Sequence, residues 1–340
     1  MTLDIEPCPL SMLLKCRICG NEANNRPHTA AEMMFGTREE FDYLECGECG
    51  TVQIVEIPEL RPYYPENYYS FEAGSKNGMR AAIGRSIAKA YVRAGKVGPL
   101  GQVAALFPIV VRRLRFLDLE LGYLDMGLGL ASVLRLGIGP DCRILDVGCG
   151  DGKLLNVLAE LGYTSLLGAD AFIETDRILP GGVMILNRNL DQVDGEFDVI
   201  MFHHSFEHLT DPAGTLLNVR EKLAFDGRCL VRIPVTSYAW EKYGVDWVGL
   251  DPPRHLHLFT ERSFRALAER AGFEVDSVFY DSTSFQFCGS EQYKLGIPLT
   301  ANRPAGTIFS KRQIRRWAGD ARRLNSEGRG DQAAFVLRPK

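Results

Sequence analysis

The run Arg143-Ile-Leu-Asp-Val-Gly-Cys-Gly-Asp-Gly152 constrains this chain more than any other ten residues. A short apolar strand leads into a glycine-rich turn, and Leu154, Leu155, Leu158 and Leu161 then recur at helical spacing. Gly148 and Gly150 let the turn close more tightly than a Cβ allows, so that backbone amides face a ligand. Strand signals follow at 165–169, 183–186, 197–202, 228–233 and 273–280, with helical segments between most of them, as at 212–223 and 261–271. This alternation predicts an α/β fold: a parallel, doubly wound sheet that takes ligands at the carboxyl ends of its strands.

The spacing within the turn narrows the ligand. A dinucleotide fingerprint reads GxGxxG, whereas here Lys153 stands at the third glycine position. Asp146 adds a carboxylate at the strand tip, able to organise the turn or to meet an ammonium group through water. Asp170 ends the next strand, where a carboxylate can accept from both hydroxyls of a ribose. The pair suits a cationic amino-acid ligand better than a pyrophosphate.

Four of the 9 cysteines form a second pattern, Cys16-Arg-Ile-Cys19 and Cys46-Gly-Glu-Cys49, each followed by a glycine (Gly20, Gly50). Two such knuckles supply the closed tetrahedral S₄ shell of a structural zinc ion, with His28 as a possible substitute ligand. The metal would stabilise a small β-rich module. Cys8, Cys142, Cys229 and Cys288 have no partner at ligand spacing and read as core or surface thiols. An odd cysteine count argues against a disulfide scaffold.

Length and charge exclude several classes. At 340 residues the chain is long enough for an enzyme core plus an appendage. Lys+Arg 39 against Asp+Glu 43 gives a net charge of −4, which disfavours nucleic acid as a partner. The apolar stretch 103–111 is far short of the roughly 20 residues of a membrane span. Asp4, Glu6, Pro7 and Pro9 do not resemble a secretory signal, so a cytoplasmic location is expected. Helical periodicity covers about 76–139. Its Arg112, Arg113 and Arg115 raise a membrane-surface helix, but a solvated face is the commoner use of such residues. The same holds for the basic run 311–323.

The runs ILDVGCGDGKLL (144–155), Asp170 in LGAD, FDVIMFHHSFEHLTDP (197–212) and 247–275 together resemble class I S-adenosylmethionine-dependent methyltransferases. The paired CxxC motifs and the YYPENYYSF run are similar to the subgroup acting on sugars and nucleotide-sugars. The resemblance implies a Rossmann-like seven-stranded sheet with its last strand antiparallel, preceded by a zinc-ribbon-like module and a helical linker. The expected organisation is a zinc module and Tyr/Pro-rich connector at 1–75, a linker or lid at 76–140, the methyltransferase domain at 141–281 plus 331–340, and a helical insertion at 282–330.

By the same resemblance, Gly148, Cys149 (through its backbone) and Gly150 line the methionine and ribose of S-adenosylmethionine, with Asp146 beneath. Asp170 holds the ribose, Asn189 and Leu190 flank adenine, and His204 lies near the transferred methyl. His255, in the HLHLFT run, falls where the sugar C-methyltransferases place a histidine base. His257, two residues on, faces the opposite side of an extended segment. Pro252, Pro253 and Arg254 replace the residues expected before that histidine, and the second sugar domain is missing, so O-methylation moves ahead of C-methylation. Glu207-His208 reads as a helix cap, and Trp240, Tyr243 and Trp247 as an acceptor wall. The expected function is methyl transfer to a hydroxyl of a nucleotide-sugar or glycan. The alternatives are a sugar C-methyltransferase, an RNA methyltransferase and a non-catalytic scaffold.

Overall fold

The computed structural model describes residues 15–64, 124–301 and 305–340. Cys8, the connector beyond Tyr64, the linker up to 123 and its arginines lie outside the described residues. Strands β1 (Arg26–Ala31), β2 (Glu40–Glu45) and β3 (Val52–Ile54) form an antiparallel meander, with one cysteine knuckle before β1 and the other between β2 and β3. Helix α1 (Leu124–Leu134) leads into β4 (Arg143–Val147), α2 (Lys153–Leu161) and β5 (Ser165–Ala169). The hairpin β6 (Arg177–Ile178) and β7 (Met184–Leu186) precedes β8 (Phe197–His203), α3 (Pro212–Lys222) and β9 (Leu223–Pro234). Then come α4 (Tyr238–Tyr243), β10 (His257–Leu258), α5 (Glu261–Arg270) and β11 (Phe273–Tyr280). Helices α6 (Phe285–Lys294), α7 (Ala305–Ile308) and α8 (Lys311–Ser326) lie before β12 (Gln332–Pro339).

The main sheet has the order β11-β12-β9-β8-β4-β5-β7-β6. Strands β7, β5, β4, β8 and β9 are mutually parallel, and β12 runs antiparallel between β9 and β11. An eighth member corrects the expected seven. The two-residue β6 exists only by pairing with β7 and is too short to show alternation. Period-two alternation distributes the strands' side chains between two cores. Leu145, Ile200, Phe202 and Val231 pack towards α3 and α5, while Ile144, Val199, Met201 and Leu230 pack towards α2. Each aliphatic side chain so buried contributes about 1.5–3 kcal/mol.

The strand order reverses between β4 and β8, which opens a crevice beyond their carboxyl ends. The cysteine meander is joined to the main body by strand pairing, because β10 adds to β3 as a fourth strand. Tyr43, Val52 and Ile54 share a third core with Trp247, Leu256, Phe287 and Leu324. At the start of α5, Thr260 accepts from Ser263 N and donates to Cys49 O at 2.9 Å, so one hydroxyl caps the helix and holds the second knuckle. On α8, Arg323 pairs with Glu327 on a solvent-exposed face. Among the described residues no helix is long and apolar enough to cross a membrane.

Candidate active site

Three residues between β4 and α2 adopt left-handed backbone: Gly148 at φ 73°, Gly150 at φ 55° and Gly152 at φ 76°. A Cβ at Gly148 would lie 2.3 Å from that of Ser205, so the close approach of the β4 and β8 loops depends on this glycine. Asp170, at the tip of β5, faces the bend. Its carboxylate accepts from Gly150 N and Phe172 N, both at 2.8 Å, and each oxygen keeps a lone pair for a ligand hydroxyl. Asp146 is buried beneath the turn, and its Oδ1 has no hydrogen-bond partner among the described residues. Burial and then the nearby Asp170 push its carboxyl well above the usual range. A cationic ligand would relieve both conditions. Beside this bend lies a cavity of about 340 Å³, lined by Gly148, Gly150, Asp170, Asn189, Leu190, His204 and His208 among others. An orphaned carboxylate oxygen, a bend without Cβ atoms and a ribose-type carboxylate all fit S-adenosylmethionine.

At the end of β8, His204 takes a left-handed backbone (φ 55°) and turns its ring to the cavity rim. Its Nε2 accepts from Arg232 Nη1 and Gln332 Nε2, each at 2.5 Å. A guanidinium can only donate, so the ring proton resides on Nδ1, which donates to Glu207 Oε1 at 3.3 Å. Both nitrogens are therefore engaged. In this arrangement His204 lines the cavity and orients Glu207.

Glu207 is no helix cap; that part falls to Asp211, which accepts from Gly214 N at 2.9 Å. Glu207 is fully buried, and burial alone would raise its pKa. The His204 hydrogen bond and the surrounding His208 and His255 rings hold it down at about 2. His208 Nδ1 lies 2.7 Å from Arg254 O and 3.1 Å from the Tyr64 hydroxyl. Tyr64, the last described residue of the connector, lines the cavity and stacks on Phe172 with centroids 5.1 Å apart.

His255 does not line the cavity. Its Nδ1 donates to Gly249 O at 2.8 Å, and its Nε2 lies 3.8 Å from Glu207 Oε1 and 3.9 Å from Asp251 Oδ2. Burial, and after it the neighbouring His208, lowers its pKa to about 4, so it is a weak base held behind His208, with ring centroids 4.8 Å apart. His257 points the other way, to the cysteine module. Its Nδ1 donates to Leu209 O, and its Nε2 accepts from Arg17 Nε, both at 3.1 Å. Arg254 is completely buried, paired with Asp251 at 2.6 and 2.9 Å and with Glu32 at 2.9 Å. The three aromatics expected to wall the acceptor lie instead in the third core. Trp247 Nε1 donates to Asp331 there, and neither Trp240 nor Tyr243 lines the cavity.

The sequence reading missed the convergence of Glu207, His208 and His255. The only signal available was that two polar runs, each beside a strand end, both held histidines. In the cysteine cluster, Cys16 and Cys49 sulfurs are 3.7 Å apart and those of Cys19 and Cys46 3.5 Å. A tetrahedral zinc with bonds of roughly 2.3 Å needs sulfurs roughly 3.8 Å apart. The hydrogen bond from Cys16 holds Cys49 down at about 4, the thiolate state a metal requires.

Residues 113–278, just under half the chain, match the family profile of a methyltransferase domain. The ubiquinone biosynthesis O-methyltransferase of Maricaulis maris is 26% identical over 185 residues, covering 48% of this chain and 72% of the relative. The enzyme of that name from Cereibacter sphaeroides is 34% identical over 132 residues, 34% of this chain, which spans about half (51%) of the relative's length. Among solved structures, the Burkholderia thailandensis 1,6-didemethyltoxoflavin-N1-methyltransferase superposes with a TM-score of 0.39 at 15% identity, covering 79% of this chain and 93% of that one. The profile match spans the glycine bend, the Asp170 strand tip and the β8 loop, and with these relatives marks the segment as an S-adenosylmethionine-dependent methyltransferase domain.

Proposed function

We propose that the chain methylates a hydroxyl of a small molecule, with a nucleotide-sugar or glycan hydroxyl as the acceptor class. The observation that carries oxygen transfer is the polar centre of Glu207, His208 and His255 at the β8 end of the donor cavity, with His208 alone of the three on its lining. S-adenosylmethionine supplies a methyl already activated on a sulfonium, so the protein must align donor and acceptor and receive one proton. Asp170 holds the ribose hydroxyls, the amides of Gly148, Cys149 and Gly150 line the donor, and Asp146 faces its ammonium end. Asn189 and Leu190 flank adenine. The acceptor hydroxyl enters beside Tyr64 and loses its proton at the polar centre, where His208 meets it and His255 stands behind.

The four cysteines hold a structural zinc ion in this reading. Its module bears on the site through β10 and Arg254 rather than through an open metal position. The sugar class is supported by the paired CxxC module and the runs shared with sugar methyltransferases. The curated relatives, named for ubiquinone biosynthesis, support oxygen as the acceptor atom. Mass spectrometry of products from a panel of nucleotide-sugars, with hydroxylated quinone precursors as the second arm, tests the reading. One added methyl on a sugar hydroxyl is the expected result. Methylation confined to the second arm would overturn the sugar class, and methylation on carbon or nitrogen would overturn oxygen transfer.

A further inference from the structure

We propose that Glu207, His208 and His255 form a divalent transition-metal site in the wall of the donor cavity, separate from the cysteine cluster. The ligand atoms of the three residues lie within 4.8 Å of one another. Each histidine is arranged as a metal ligand is: Nδ1 is tied to a backbone carbonyl, that of Arg254 for His208 and that of Gly249 for His255, which leaves Nε2 as the donor. Glu207 offers the third ligand. Its Oε1 is held by His204, while Oε2 is buried with no partner among the described residues. A completely buried carboxylate oxygen with nothing to bind is costly, and its neighbours do not relieve it.

The local charge points the same way. Three buried or nearly buried carboxylates, Glu207, Asp251 and Glu32, surround this corner, and Arg254 is paired with Asp251 and Glu32. Arg232, the other guanidinium nearby, is paired with Asp281. The corner therefore gathers more carboxylates than guanidinium partners beside two imidazoles, a donor set that a dication would suit. Two imidazoles with one carboxylate suit zinc, manganese, iron or cobalt better than magnesium or calcium. With bonds of roughly 2.1 Å the ligand atoms would close to roughly 3.4 Å, a contraction of at most about 1.4 Å. An acceptor hydroxyl drawn onto such an ion would ionise nearer neutral pH. That consequence rests on the proposed methyl transfer, whereas cation binding itself does not.

Manganese(II) added to protein carrying one equivalent of zinc, held by the four thiolates, separates the two metal sites, because manganese prefers nitrogen and oxygen ligands to thiolates. Loss of the free-ion electron paramagnetic resonance signal should show one manganese bound per chain. The bound ion should show imidazole nitrogen couplings, and His255→Ala should weaken its binding at least tenfold while still binding S-adenosylhomocysteine. No uptake by the wild type at millimolar manganese, bound ion without nitrogen couplings, or equal affinity in a folded His255→Ala variant would each overturn the site. The nitrogen couplings are read on the wild type, so the test holds even if the variant does not fold. Manganese bound as expected with no binding of S-adenosylhomocysteine would leave the cation site standing and overturn the donor reading instead.

Discussion

His204, His208 and His255 lie within one side chain's reach of Glu207, yet their hydrogen bonds divide their duties. His204 has both nitrogens engaged, His255 is buried and weakly basic, and His208 stands at the cavity. Replacing His208 with Ala should lower kcat about 10²-fold or more in the methyl-transfer assay. An unchanged kcat would remove it from the reaction. His257 makes a separate prediction. Burial, with Arg17 beside it, lowers its pKa to about 3 from an unfolded value of about 6.5. Between those values the unfolded chain binds more protons, so this stabilisation is complete above about pH 6.5 and declines as pH falls towards 3. Its slope is at most about 1.4 kcal/mol per pH unit, and His255 adds a term of the same sign. Urea midpoints from pH 7.5 to 5.5 should fall more steeply for the wild type than for His257→Gln, and equal slopes would contradict the assignment.

At the scale of elements, the segment 249–258 does most to assemble the site. It is bonded on one side to the cysteine module, through β10 on β3, Tyr43 to His255 O at 3.1 Å, and Ile54 N to Leu256 O at 3.1 Å. On the other side Leu256 N donates to Glu207 O at 2.9 Å. Glu32 closes the arrangement, accepting from Arg254 and from the backbone of Phe35, Gly36 and Thr37. Glu32→Ala would leave those buried donors without their acceptor and should cost about 3–5 kcal/mol in denaturant unfolding. A loss below 1 kcal/mol would show that Asp251 alone satisfies Arg254.

This segment also explains what the sequence could and could not disclose. The glycine bend, Asp170 and the main strands were legible because each is a local pattern of strand, turn and helix. The grouping of Glu207 with His255 was not, since it depends on a two-residue strand that exists only by pairing with β3. Trp240 and Trp247 misled for a related reason. An indole suits a sugar wall and a core equally well, and only the third core, built from four distant segments, decides between them. The carboxy-terminal strand was legible from its apolar run, but β6 was not, being defined by its partner alone.

For the whole molecule, the third core makes the cysteine module, α8 and the segment before β10 parts of one packed body. Removing the proposed zinc ion should therefore reach beyond the knuckles. Chelation is expected to lower Tm and to speed hydrogen exchange in 249–258, where His255 and Arg254 lie. Unchanged exchange there, with the metal gone, would mean that the module is an independent appendage. The central claim is that the β4 bend and Asp170 hold the methyl donor. Calorimetric titration with S-adenosylhomocysteine should show one site per chain in the wild type and binding at least tenfold weaker in Asp170→Ala, the loss expected for hydrogen bonds to a charged group. No binding by the wild type, or equal affinity in the variant, would contradict it.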